Sequence, residues 1–174
     1  MAPPTYQSTL HHLSAELGSD LLERGWTVAT AESCTGGGIA AAITEVAGSS
    51  AWFGTGIVSY ANAAKQQLLG VETEVLERCG AVSREVVEQM AQGALRVGGA
   101  DIAVSVSGIA GPDGGTPDKP VGTVWLAWAG PGDALLSECY VYEGSRAQVR
   151  EQASVTALRG LLAIIRQNPV KNTV

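Results

Sequence analysis

The sequence predicts one α/β domain, a three-layer α/β/α fold around a mixed, mainly parallel sheet. Segments with helical spacing of apolar residues alternate with short β-branched segments through the first two thirds of the chain. The last third sets three strand-like segments in succession, two of them joined by "PGD", so a hairpin completes the sheet. Composition supplies the core: 45% of the 174 residues are hydrophobic and only 16% charged.

The elements follow in order. Leu10, Leu13, Leu17 and Leu21 recur at three- and four-residue spacing, which predicts an amphipathic helix over 8–24, ended near Gly25. "WTVATAES" is a short strand. "TGGGIAAAITEVA" opens with small residues and becomes a helix that stops at Gly48. "GTGIVSY" is a second strand. "ANAAKQQLLG" and "ETEVLERCG" are short helices ending in Gly70 and Gly80. Ser83 is a plausible N-cap for a helix whose face carries Val86, Val87, Met90, Ala94 and Val97. "DIAVSVSG" alternates as a strand does, and "IAGPDGGTPDKP" is a loop. "VGTVWLAWAG" and "ALLSECYVYEG" form the strand pair. "SRAQVREQASVTALRGLLAIIRQ" is a closing helix capped by Ser145. The order is α-β-α-β-α-α-α-β-β-β-α, one domain over 1–174 with its core at about 8–166 and frayed ends "MAPPT" and "QNPVKNTV". Two glycine-rich turns follow strands, "ESCTGGG" and "SGIAGPDGG", and sites in such folds collect at strand ends.

Charge and composition exclude several functions. Net charge is −6 and no basic run occurs, so nucleic acid and anionic membranes are not expected partners. No apolar stretch reaches the length of a membrane span, and the N-terminus lacks a signal pattern, so a cytoplasmic location is expected. Cys34, Cys79 and Cys139 form no CxxC pair, and no metal motif is present; neither metal nor cofactor is expected. Trp26, Trp52, Trp125 and Trp128 are expected in the core or an interface, which leaves room for a homo-oligomer, with a dimer favoured.

Reactive side chains are scarce. His11 and His12 are neighbours on the first helix and point about 100° apart, so a serine–histidine triad has no histidine to use. Of three lysines, Lys171 is in the tail and Lys119 in the proline–glycine loop; only Lys65 lies within regular structure, five residues beyond Tyr60. A desolvated lysine can serve a serine as base, and a nearby tyrosine can pass protons. An exposed helical Lys65 is the plain alternative. Ser33 is either an N-cap or a nucleophile facing the donors of a helix start, with Gly36 and Gly37 clearing space for a substrate. Cys34 is the rival nucleophile, its thiolate favoured by the same dipole. The turn alone does not choose between them.

"TAESCTGG", "GSSAWFGTGIVSYANAAKQQLLGV", "GAVS" and "VSVSGIAGPDGGTPDKPVGTVW" together resemble the CinA C-terminal family, the nicotinamide-nucleotide amidases, over roughly 8–166. The resemblance implies hydrolysis of the carboxamide of nicotinamide mononucleotide to nicotinate mononucleotide and ammonia, in pyridine nucleotide recycling. It implies Ser33 as nucleophile, Lys65 as base and Tyr60 as third member, with no metal. Some members of the family carry a further N-terminal domain; this chain is expected to be the stand-alone form. With that substrate, backbone N–H groups near Thr35, Gly36 and Gly37 are candidates for the oxyanion. The cradle at Gly108, Ala110 and Gly111 is a candidate for the phosphate. Arg146, ahead of Arg150, is the candidate bidentate phosphate ligand, against a surface pairing with Glu143 or Glu151. Asn62 either orients substrate or caps its helix, and Glu32 either orients Lys65 or pairs elsewhere. A nucleotide-binding domain without turnover is the rival reading, and an amidase for another carboxamide a third.

Overall fold

The structure is a computed structural model and is described for residues 5–168. Lys171 and most of both expected frayed ends lie outside the described residues. The elements are α1 (Tyr6–Arg24), β1 (Val28–Glu32), α2 (Gly38–Thr44), β2 (Phe53–Val58), α3 (Asn62–Leu69), α4 (Thr73–Cys79) and α5 (Arg84–Gly98). They continue with β3 (Ile102–Gly108), β4 (Thr123–Ala129), β5 (Leu135–Val141) and α6 (Arg146–Gln167). This is the order expected from the periodicities. Several boundaries move by a few residues, α1 starting at Tyr6, α2 ending at Thr44 and β2 at Val58. Trp26 and Thr27 precede β1, and α2 begins at Gly38 because Gly36 and Gly37 hold left-handed backbone at φ 61° and 93°, which a helix cannot include.

The sheet order is β2-β1-β3-β4-β5. β1 pairs in parallel with β2 and β3, whereas β3–β4 and β4–β5 are antiparallel. The sheet is thus mixed; its pairings divide evenly, but four of the five strands run in one direction. The side-chain period of two sorts the central strands between two cores. Val28, Ile102, Val104 and Val106 pack with α1, α2 and α6. Ala29, Ala31 and Ala103 pack on the other face with Leu69, Val75, Val86, Met90 and Ala94 from α3, α4 and α5.

Small residues set how closely the layers approach. A Cβ on Gly93 of α5 would stand 2.1 Å from the carbonyl oxygen of Leu69, so α3 meets α5 backbone to backbone. Trp52 lies over Gly18 and Trp128 over Gly160, each only 2% exposed. The indole N–H of Trp128 donates to Ala157 O at 2.9 Å, which meets the polar requirement of a buried tryptophan. Burying each ring is worth about 4–6 kcal/mol of transfer free energy. Trp26 and Trp125 are half-buried against the cores. Ser83 and Ser145 cap α5 and α6 as expected, the second within a capping box completed by Gln148.

The parallel run of β2, β1 and β3 brings their C-terminal ends to one edge. The Ser33 N–H donates to Val106 O at 3.0 Å, and the Ser59 N–H to Glu32 O at 2.8 Å. The turns after β1 and β2 therefore begin side by side.

Candidate active site

Ser33 is the first residue after β1. It begins a compact turn in which the Gly36 N–H donates to Ser33 O at 3.0 Å and the Gly38 N–H to Thr35 O at 3.2 Å. The positive φ angles of Gly36 and Gly37 are the first reason for glycine here. A Cβ on Gly36 would lie 3.4 Å from Arg150 and one on Gly37 3.4 Å from Val58, so both positions are also closely neighboured by protein.

Glu32 holds this turn. Its side chain is completely buried, and its carboxylate accepts from the Thr35 hydroxyl at 2.7 Å, the Ile39 N–H at 3.0 Å and the Ala40 N–H at 2.8 Å. It thus caps the start of α2 with both carboxyl oxygens. Neither alternative expected for Glu32 holds: it meets Thr35 and α2, not Lys65, and joins no ion pair among the described residues. Ser33 is not the cap of this helix; its N-cap position is Gly37. A consequence follows for an oxyanion. The N–H groups of Ile39 and Ala40 are committed to Glu32, that of Gly38 to Thr35 O and that of Gly36 to Ser33 O, leaving those of Cys34, Thr35 and Gly37 without a backbone acceptor among the described residues.

Lys65 stands on the first turn of α3 and is 1% exposed. Its Nζ lies 3.0 Å from Ser33 Oγ, 2.8 Å from Ser59 O and 3.1 Å from Tyr60 O. Burial pushes its pKa below the ordinary 10.5, with the neighbouring Cys34 sulfur opposing. Among the described residues it joins no ion pair that would hold the proton. The Nζ donates to Ser33 Oγ and to the carbonyls of Ser59 and Tyr60, which is as many acceptors as an ammonium has hydrogens and one more than a neutral amine has. The exposed-helix alternative for Lys65 is overturned.

Cys34 points the other way, into the core under α1, α2 and α6, and is 6% exposed. Burial pushes its thiol up to about 12, so the dipole expected to favour the thiolate loses to desolvation. A thiol held protonated and buried is a poor nucleophile.

The remaining expected residues divide. The Tyr60 side chain is exposed, and its hydroxyl accepts from Arg146 Nη2 at 3.0 Å; what reaches Lys65 is the Tyr60 carbonyl. Arg146 also donates from Nη1 to Gly111 O at 2.9 Å. Arg150, one helical turn on, donates to Thr35 O at 2.8 Å. Neither arginine pairs with Glu143, Glu151 or any other carboxylate among the described residues. The site thus gathers both guanidinium groups at its edge, where Arg146 alone was favoured; their spacing of four places them on one helix face, a signal available in the sequence. Thr35 commits its hydroxyl to Glu32. Ala110 packs its side chain into the core, 4% exposed, so only its backbone could take part in the expected cradle. Gly108 ends β3 against Val124, which a Cβ would meet at 2.6 Å. Gly111 has φ 80° and presents its carbonyl, not its N–H, to Arg146. Asn62 makes no capping bond and borders a shallow cavity with Gln66, Thr73 and Glu77.

Two cavities of about 460 Å³ lie elsewhere, between α1 and α2 and between β5 and α6. Their linings hold neither Ser33 nor Lys65, so reactive chemistry and not concavity marks the site. His11 and His12 are exposed on α1. No group of three His, Cys, Asp or Glu side chains among the described residues is placed to hold a metal ion. No helix among them is long and apolar enough to cross a membrane.

Comparison with known proteins identifies the family. The family described as the CinA C-terminal domain matches residues 10–165. A nicotinamide-nucleotide amidohydrolase PncC of Enterobacter agglomerans is 56% identical over 156 residues, covering 90% of this chain and 95% of the relative. The protein of the same name from Escherichia coli K12 is 52% identical over 161 residues, covering 92% and 98%. The crystal structure of the competence/damage inducible protein CihA from Agrobacterium tumefaciens superimposes with a TM-score of 0.89 at 44% identity, over 94% of this chain and 99% of that one. A CinA superfamily protein from Klebsiella pneumoniae gives 0.87 at 39%, over 91% and 98%. The chain belongs to the CinA C-terminal domain family.

Proposed function

For this CinA C-terminal domain we propose amidohydrolase activity on nicotinamide mononucleotide, releasing ammonia and nicotinate mononucleotide through a serine nucleophile with a lysine base. The observation that carries the reading is the 3.0 Å contact between Ser33 Oγ and a buried Lys65 whose pKa is lowered. The names of relatives more than half identical over nine tenths of the chain support the substrate.

In this mechanism neutral Lys65 takes the Ser33 proton as Oγ bonds to the carboxamide carbon. The oxyanion accepts from the N–H groups left without backbone acceptors at Cys34, Thr35 and Gly37. Lysinium returns the proton to the amide nitrogen, the C–N bond breaks and ammonia leaves. Water, deprotonated by the same lysine, then splits the ester, giving the carboxylate and free Ser33. Arg146 and Arg150 are the proposed phosphate ligands. They are cations without carboxylate partners among the described residues, at the edge of the site in an acidic protein, and a phosphate ester needs such donors.

The test is ammonia release from nicotinamide mononucleotide, nicotinamide riboside and nicotinamide side by side. Preference for the mononucleotide is expected. Binding of the mononucleotide without ammonia release would replace the amidase with a nucleotide-binding module.

A further inference from the structure

The hydroxyl of Tyr60 is the one polar group of the expected catalytic trio that does not meet the other two. The tyrosine side chain is 60% exposed, against 1% for Lys65 and 8% for Ser33, and its recorded partner is Arg146 Nη2 at 3.0 Å. We propose that the Tyr60 hydroxyl is a positioning group for the guanidinium of Arg146, and that it thereby sets the preference for a phosphorylated substrate instead of moving protons at Ser33. The inference rests on the phosphate role given to Arg146 above.

The geometry supplies the reason. Arg146 stands at the start of α6, exposed, with no carboxylate to fix it. A free arginine side chain would lose much of its rotamer entropy on gripping an anion. Here two acceptors from different parts of the chain hold it beforehand: Gly111 O, in the loop after β3, and Tyr60 Oη, beyond β2. Each takes one N–H. A guanidinium has five, so three remain for phosphate oxygens. Arg150 is fixed in a similar way one turn further on, by Thr35 O in the nucleophile turn. A phosphate between the two arginines is thus referenced to the turn that carries Ser33, and ordering the donors in advance lowers the entropic cost of binding. The Tyr60 backbone meanwhile gives its carbonyl to Lys65, so one residue touches both the base and the anion ligand.

The experiment compares the unaltered protein, Tyr60→Phe, Arg146→Ala and the double variant. Inorganic phosphate affinity is measured by calorimetry, and KM and kcat are measured on the mononucleotide. Removing one hydrogen bond is expected to weaken phosphate binding about two- to tenfold in Tyr60→Phe. The KM for the mononucleotide should rise by a similar factor, and the phosphate loss should vanish when Arg146 is already alanine. An unchanged phosphate affinity in Tyr60→Phe, a loss that persists undiminished beside Arg146→Ala, or no phosphate binding by the unaltered protein would each overturn the assignment. So would a Tyr60→Phe defect confined to kcat. Ammonia release by the unaltered protein judges the amidase reading separately, since phosphate affinity is measured without turnover.

Discussion

Two glycine-rich turns leave the same edge of the sheet, and they are built in opposite ways. The turn after β1, residues 33–37, is largely buried and fixed from within: Glu32, the last residue of its own strand, binds Thr35 and the start of α2. The turn after β3, residues 109–122, is exposed from Pro112 to Asp118 and fixed from outside. Lys119 reaches the carbonyls of Val82 at 2.7 Å and Cys79 at 3.1 Å, a cation at the C-terminal end of α4, and Arg146 reaches Gly111. The difference teaches what each glycine cluster is for. The first holds reactive atoms to within hydrogen-bond distance, where a displacement of an ångström matters. The second frames an edge where substrate recognition is proposed, and movement there costs affinity before it costs chemistry.

The comparison predicts that changes in the first turn act on kcat and changes around the second act on KM. The largest expected effect is from Ser33→Ala, with kcat for ammonia release falling by roughly three orders of magnitude or more. Cys34→Ala is expected to keep turnover; the reverse pattern would place the nucleophile on the thiol.

Lys65→Met should lose nearly as much. In the unaltered protein the pH profile of kcat/KM gives a second check. In the proposed mechanism the neutral amine is the active form, so activity should rise with pH through the lysine pKa and be lost as pH falls below it. Because burial lowers that pKa, the acidic limb should lie below 10.5. A limb at or above that value would contradict a neutral base.

Glu32→Gln should have an intermediate effect. It sets an amide N–H₂ against donors that now meet a carboxylate, at a cost of about 1–3 kcal/mol. The melting temperature should fall by roughly 2–10 °C, with kcat reduced about tenfold or more. Unchanged kcat with a lowered melting temperature would reduce Glu32 to a stability role. The smallest effect is expected from Lys119→Met: a rise in KM of about two- to fivefold, with kcat nearly unchanged. A kcat loss there as large as that from Glu32→Gln would erase the distinction between the turns.

Much of this was legible in the chain. Apolar periodicity gave all eleven elements in order, since period two and period three to four are properties of the residues themselves. The scarcity of histidine and lysine singled out Lys65. Several details were not legible. Nothing local distinguishes Ser33 from Cys34, since both precede the same glycines. The strand's alternation, continued one residue into the turn, sends one side chain toward α3 and the other into the core, and only the packed layers make those two places chemically different. That Ala110 gives its side chain to the core was not legible either, because loop composition does not report which side chain the core accepts.

By itself, then, the sequence determined the fold class, the order of elements and the short roster of groups able to react, because these depend on local pattern and on composition. The tertiary structure alone decided the partners. It buried Lys65 beside Ser33, 32 positions away, turned Glu32 onto α2, buried Cys34 in the core and set Tyr60 against Arg146, 86 positions on. Desolvation and hydrogen-bond geometry come from atoms that meet across the fold, and they are what make one of several similar polar side chains a base, a cap or a ligand.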